Sequence, residues 1–223
     1  MIKKAVIKEV GIAIGLLATI GVTGIAFRYR REIYGAISGK RIISKKASNK
    51  AKEELDKWQN GAIKEGAETT VKELDGYWQS VGTTYKKMGD AAWSAAFISW
   101  LMKESGAKDT FKYSPSHSVY IVDAINNKKE NKGSWKGYKP SEVSIKKGDL
   151  ICYARQSGVT YDTTNRYDSH CDIVYNVDRK QRRASTIGGN VSNSVKETVV
   201  NIDEKGMITS DNKNKYFVVL KNK

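Results

Sequence analysis

Residues 90–106 have the sequence DAAWSAAFISWLMKESG, and this stretch decides the class of fold. Asp90 suits the N-cap of a helix and Gly106 suits its C-terminal stop. Between them, apolar side chains recur every three or four positions, which predicts a helix with a broad buried face. Further on, Pro115 in PSHSVYIVDAI predicts the first turn of a second helix, which carries His117 near its start.

After Pro140 the apolar runs become short and rich in β-branched and aromatic residues. The runs are GDLICYA at 148–154, HCDIVYNV at 170–177, ASTIG at 184–188 and KYFVVL at 215–220. Because polar turns separate them, they predict strands of an antiparallel sheet. Helices followed by strands predict an α+β fold, with the helices packed on one face of the sheet.

The chain is basic, with 39 Lys and Arg against 24 Asp and Glu in 223 residues and a net charge of +15. Residues 1–57 contribute +8 of this, from thirteen basic and five acidic residues. The charge implies an anionic neighbour: nucleic acid, anionic lipid or an acidic cell-wall polymer. Nucleic acid ranks last because no known binding motif is present. We expect no cofactor, because no nucleotide-binding glycine loop occurs.

Residues 10–27 are eighteen positions without a charge, flanked by basic residues. A helix of this length covers about 27 Å, which predicts a transmembrane anchor in contact with lipid. A cleaved secretory signal and a buried core helix are the alternatives. Gly11 and Gly15 are spaced for contact between membrane helices, and hence for an oligomer.

The predicted organisation is a basic flank at 1–9, the transmembrane helix at 10–27, a basic helical stalk at 28–73 and a globular domain at 74–223. Basic residues after the apolar run outnumber those before it. The positive-inside rule therefore keeps the C-terminal side in the cytoplasm, and an extracytoplasmic function would have to override it.

Five motifs occur in order along the globular part: WSAAFISW from Trp93, YSPSHSVYI from Tyr113, GDLIC from Gly148, HCDIV from His170 and IGGNV from Ile187. Together they resemble the bacterial family catalogued as domain of unknown function 2272. That family is in turn similar to the papain-like cell-wall hydrolases of the CHAP and NlpC types. The resemblance covers roughly residues 74–220 and implies a papain-like α+β domain that acts on peptidoglycan.

The papain-like pattern has a nucleophile at the start of a buried helix, a histidine base opening a strand and a polar side chain that orients the histidine. By this resemblance the catalytic residues are Ser94, His170 and Asn190. Serine in place of cysteine is a departure, because a hydroxyl needs a well-aligned base to lose its proton. Three alternatives follow: a Ser-His-Asn hydrolase, a shifted site that uses other residues, and a scaffold retained for binding after loss of catalysis.

Four further residues are candidates for substrate binding: His117, Trp93, Asp172 and Gly189. Asp172 is two positions after His170, so both side chains point to the same face of a strand. His117 is either a substrate contact or a second acid, or it bonds locally near its helix start.

Cys152 and Cys171 are expected to be small buried core residues. A disulfide is the alternative if their strands are neighbours, and it would imply an oxidising compartment. A zinc site built from both cysteines and both histidines has no familiar spacing, so no metal is expected.

The sequence thus predicts a membrane-anchored peptidoglycan amide hydrolase, in a bacterial inner membrane or in the internal membrane of a virion. The alternative is a catalytically inactive papain-like module that binds cell-wall glycan or a protein partner.

Overall fold

The computed structural model describes the backbone of residues 25–223 and the side chains of residues 41–223. The predicted flank at 1–9 and residues 10–24 of the predicted transmembrane helix lie outside the described residues. From residue 25 onward, no helix combines the length and apolar character needed to cross a bilayer. Two compact units divide the chain, residues 1–39 and residues 40–223, and the second contains the fold described below.

Five α-helices and six strands are described. The helices are α1 (Ile25–Lys57), α2 (Val71–Gln79), α3 (Tyr85–Met88), α4 (Ser94–Glu104) and α5 (His117–Lys129). The strands are β1 (Trp135–Tyr138), β2 (Leu150–Ala154), β3 (Ser169–Asp178), β4 (Arg183–Gly188), β5 (Lys196–Asn201) and β6 (Tyr216–Asn222).

The strands form one antiparallel sheet in the order β1-β6-β2-β3-β4-β5, and α4 packs against β3. This confirms the predicted α+β class and the predicted antiparallel sheet. The sequence prediction missed β1 and β5, the two edge strands. They have the sequences WKGY and KETVVN, in which Lys, Gly and Glu interrupt the apolar pattern that predicts a strand.

The second half of α1 belongs to the core of the globular unit. Ala47, Ala51 and Leu55 are buried there, and the Ser48 hydroxyl donates a hydrogen bond of 3.1 Å to the carbonyl of Val174. These residues repeat at three- and four-residue spacing, but most are small and so form a weak hydrophobic pattern. The compact unit therefore begins at Lys40, within the stretch predicted to be a stalk at 28–73.

A buried polar network also holds the end of α1 against α2. The Trp58 indole donates to the Tyr77 hydroxyl at 3.2 Å, and that hydroxyl donates to the Glu54 carboxylate. Burial, followed by the Glu54 charge, raises the pKa of Tyr77 well above its ordinary value. Tyr77 therefore remains a neutral donor, and Glu54 has a partner although it is buried.

A disulfide joins Cys152 on β2 to Cys171 on β3. The two residues are directly opposite in the strand register, with Cα atoms 4.1 Å apart. Both side chains are fully buried, as expected. Of the two expectations, the structure has the alternative, a disulfide between neighbouring strands, which depends on a strand pairing that the sequence pattern does not reveal.

Candidate active site

Ser94 and His117 meet where the first turns of two helices come together. Each is the first residue of its helix, α4 and α5 respectively. The Ser94 Oγ lies 2.7 Å from the His117 Nε2. The structure therefore pairs Ser94 with His117 and not with His170, the partner implied by the papain-like resemblance. Only the folded structure, in which the starts of α4 and α5 meet, creates this contact.

The other ring nitrogen of His117, Nδ1, is hydrogen-bonded to the Tyr120 hydroxyl one turn along α5. Burial lowers the pKa of His117 well below its ordinary value, and electrostatic interactions with His170 and Arg155 lower it further. Burial and the Asp172 charge raise the pKa of Tyr120 well above its ordinary value. Both side chains are therefore neutral near pH 7.

A neutral imidazole carries one proton, so the hydrogen bonds around His117 have two arrangements. If Nδ1 donates to the Tyr120 oxygen, Nε2 accepts the proton of Ser94 and serves as a base. If the Tyr120 hydroxyl donates to Nδ1, Nε2 donates to the Ser94 Oγ and cannot serve as a base. Heavy-atom geometry is the same for both.

His170 lies beside this pair, with its ring centroid 5.2 Å from that of His117. Its Nδ1 is 3.1 Å from a guanidinium nitrogen of Arg155, and its Nε2 is 2.8 Å from Asp172 Oδ1. Arginine can only donate, so Nδ1 accepts and Nε2–H donates to the carboxylate. Asp172 thus orients His170, the role expected of Asn190.

The glycines of the IGGNV motif make room for this site. A Cβ on Gly188 would clash with the Asp172 carboxylate and lie 2.9 Å from His170 Nε2. A Cβ on Gly189 would lie 2.6 Å from Phe97 Cγ on α4. Gly189, expected to bind substrate, instead allows α4 to pack closely against the end of β4.

Asn190 has a structural position in the turn after β4. Its φ of 56° is in the left-handed region, which asparagine tolerates better than most residues. Among the side chains described, none forms a hydrogen bond with that of Asn190. The orienting role expected for Asn190 therefore has no support in this geometry.

The polar cluster is enclosed. Ser94 and His117 are each 4% exposed, Asp172 is 2% exposed and His170 is fully buried. Trp93, expected to contact substrate, is also fully buried: its indole donates to Glu65 at 3.0 Å and its ring stacks on Tyr77. Arg155, which follows β2 directly, is exposed and reaches the cluster through its contact with His170.

Sequence reasoning missed the position of Tyr120. Its spacing of three from His117 on a predicted helix places the two side chains on one face, which is a usable signal. The position of Arg155 follows from the pairing of β2 with β3, which brings it near Ser169 and His170 and which only the folded sheet shows. Cys152 and Cys171 are bonded to each other, so they cannot contribute to the zinc set considered above.

The profile of the family described as "Uncharacterized protein conserved in bacteria (DUF2272)" matches residues 55–221. The match covers most of the chain, including every residue of the polar cluster, and the chain therefore belongs to this family. No curated protein and no solved structure is significantly similar to it.

Proposed function

We propose that this member of the DUF2272 family is a serine-dependent amide hydrolase of the bacterial cell wall, with Ser94 as nucleophile and His117 as base. The observation that carries the proposal is the 2.7 Å contact between Ser94 Oγ and His117 Nε2 at the start of a buried helix. A nucleophile bonded to a base whose other nitrogen has its own partner is the constellation of nucleophilic catalysis.

The chemistry follows from the positions of these groups. Ser94 Oγ attacks the amide carbonyl carbon while His117 Nε2 takes its proton. The first backbone N–H groups of α4 lack carbonyl partners within the helix, so they can hold the oxyanion. The His117 imidazolium then gives its proton to the leaving amine, and water hydrolyses the serine ester by the same steps in reverse.

His117 begins this cycle in the correct charge state, because its lowered pKa keeps it neutral. The proposal requires the arrangement in which Nδ1 donates to the Tyr120 oxygen, because this arrangement leaves Nε2 free to act as the base. The Asp172 carboxylate holds His170 beside His117, and the centroids of the two imidazole rings lie 5.2 Å apart. The pair formed by His170 and Asp172 supports the papain-like arrangement, in which a histidine on a strand faces the start of a helix.

The proposed setting is a membrane surface facing peptidoglycan, with residues 10–27 as the anchor and the basic residues before 57 in contact with anionic lipid. The disulfide supports a compartment outside the cytoplasm, because such bonds persist in oxidising surroundings. That placement opposes the positive-inside expectation. In a virion with an internal membrane, the disulfide and the positive-inside expectation are compatible, since the domain does not have to be exported across the bacterial membrane.

Digestion of purified peptidoglycan sacculi, measured as released amino groups, tests the proposal. Ser94→Ala and His117→Gln are expected to lose at least about a thousandfold in rate. Ser99→Ala is the matched control, because Ser99 is another buried serine on α4 whose hydroxyl bonds only to Ser114. Full activity of Ser94→Ala would refute the assignment of the nucleophile.

A second candidate is a catalytically inactive module that binds cell-wall glycan or a protein partner. The burial of Ser94 favours this candidate, because a buried nucleophile is hard for a substrate to reach. The partner of His117 Nδ1 also favours it, because that partner is the neutral Tyr120 hydroxyl, whereas serine hydrolases have a carboxylate there. This candidate predicts co-sedimentation with sacculi, no released amines and equal binding by wild type and Ser94→Ala.

A further inference from the structure

The geometry points to Arg155 as a specificity-determining residue that binds a carboxylate of the substrate next to the scissile amide. This inference deepens the proposed function and rests on it for the identity of the substrate as a peptide. Arg155 is an exposed cation whose guanidinium reaches the enclosed cluster, and it therefore connects that cluster to whatever approaches from solvent.

The first observation is that Arg155 has no acidic partner. Among the residues with described side chains, no carboxylate forms an ion pair with it, although several surface lysines do have such pairs. The nearby Asp172 is engaged by His170 Nε2 on the far side of the imidazole ring. An unpaired guanidinium beside catalytic groups is suited to a carboxylate brought by the ligand.

The second observation is that the guanidinium is held in place. The Arg155 backbone N–H donates to the carbonyl of Asp168 at 2.8 Å, which fixes the start of the β2–β3 loop. Its side chain donates to His170 Nδ1 at 3.1 Å and also interacts with the Tyr153 hydroxyl. The Tyr153 ring in turn lies 5.4 Å from that of His170. A long side chain held in this way loses little further freedom when it binds.

The third observation concerns donor capacity. Arginine has five N–H donors, and the contact with His170 uses one of them. Enough remain for a two-pronged bond to a carboxylate without breaking the contact to His170. Peptidoglycan stem peptides carry free carboxylates within a few bonds of their amides, so one substrate can place its carboxylate on Arg155 and its amide toward Ser94.

Calorimetric binding to the full chain carrying Ser94→Ala, which prevents cleavage, tests the inference. The two probes are a synthetic stem tetrapeptide with free carboxylates and the same peptide with every carboxylate amidated. We expect the free acid to bind about tenfold more tightly than the amide. Adding Arg155→Gln should abolish this preference, and Arg155→Lys should retain part of it. Arg166→Gln, an exposed arginine of the same loop, is the matched control.

The inference would be overturned if the Arg155→Gln protein kept the full preference for the free-acid peptide over the amidated one. It would also be overturned if the protein with Arg155 intact showed no such preference. Hydrolysis of the same two peptides by the chain with Ser94 intact is measured in parallel. If the acid is preferred through Arg155 but no peptide is cleaved, the carboxylate site stands and the hydrolase proposal falls. If both peptides are cleaved equally, the hydrolase proposal stands and the role of Arg155 falls.

Discussion

Replacing both cysteines by alanine should destabilise the protein by about 3 kcal/mol. Cys152 and Cys171 are 19 positions apart, and closing a loop of this length lowers the entropy of the unfolded chain by an amount that corresponds to about 3 kcal/mol. The two sulfur atoms are fully buried, so their removal also leaves a small cavity that adds to the cost. For a unit of this size each kcal/mol lowers Tm by about 2–4 °C, which gives a fall of at least about 6 °C.

Urea unfolding followed by circular dichroism measures this loss for the oxidised protein, the reduced protein and the double variant. The reduced wild type keeps both sulfur atoms and should lose only the contribution of loop closure, about 3 kcal/mol. The double variant should lose somewhat more, because it also has the cavity. Either single alanine variant should lose nearly as much as the double. A double variant within about 0.5 kcal/mol of the oxidised wild type would refute the reasoning, and so would two free thiols in protein purified under oxidising conditions.

Gly188→Ala should keep the fold at a cost of about 1–3 kcal/mol but lower hydrolysis at least about tenfold, because its Cβ displaces the Asp172 carboxylate; normal kinetics would contradict the fit described for β4. Below pH about 6.5, His117 binds a proton in the unfolded chain but remains neutral in the folded protein, because folding lowers its pKa. The free energy of unfolding should therefore fall as the pH drops below that value, by at most about 1.4 kcal/mol per pH unit. Urea titrations at several pH values should show that the His117→Gln variant lacks this part of the pH dependence. Leu55→Ala should cost about 2–5 kcal/mol because Leu55 is buried in the core. The exposed Ile42 on the same helix serves as a control, and its change to alanine should stay within about 0.5 kcal/mol in the same titrations.

Local sequence patterns were enough to predict the α+β class, the helix at Ser94–Glu104 and four of the six strands, although the N-cap of that helix is Trp93 and not Asp90 as expected. Each of these elements contains a strong apolar period within one continuous segment. The second half of α1 lies in the stretch predicted to be a helical stalk, but its burial was missed. Its buried face consists mainly of alanine and serine, which carry little hydrophobic signal but allow close approach to the sheet.

The candidate site was predicted in its residue types but not in its pairings. Ser94, His117, His170 and Asp172 were all singled out, and the structure places them in one cluster. The resemblance assigned Ser94 to His170, whereas the structure bonds it to His117. A choice between two histidines depends on how α4, α5 and β3 come together in the fold.

The amino-acid sequence by itself determined the main helices and the four strands with a clear apolar pattern, since those preferences arise from side-chain periods and end signals within about twenty residues. Tertiary structure alone decided which polar groups share a bond: Ser94 with His117, His170 with Asp172 and Arg155, and Cys152 with Cys171. The physical reason is the short distance over which these bonds form. Hydrogen bonds and disulfides require separations of a few ångströms between groups that are mostly far apart along the chain, and only the packed core sets those distances.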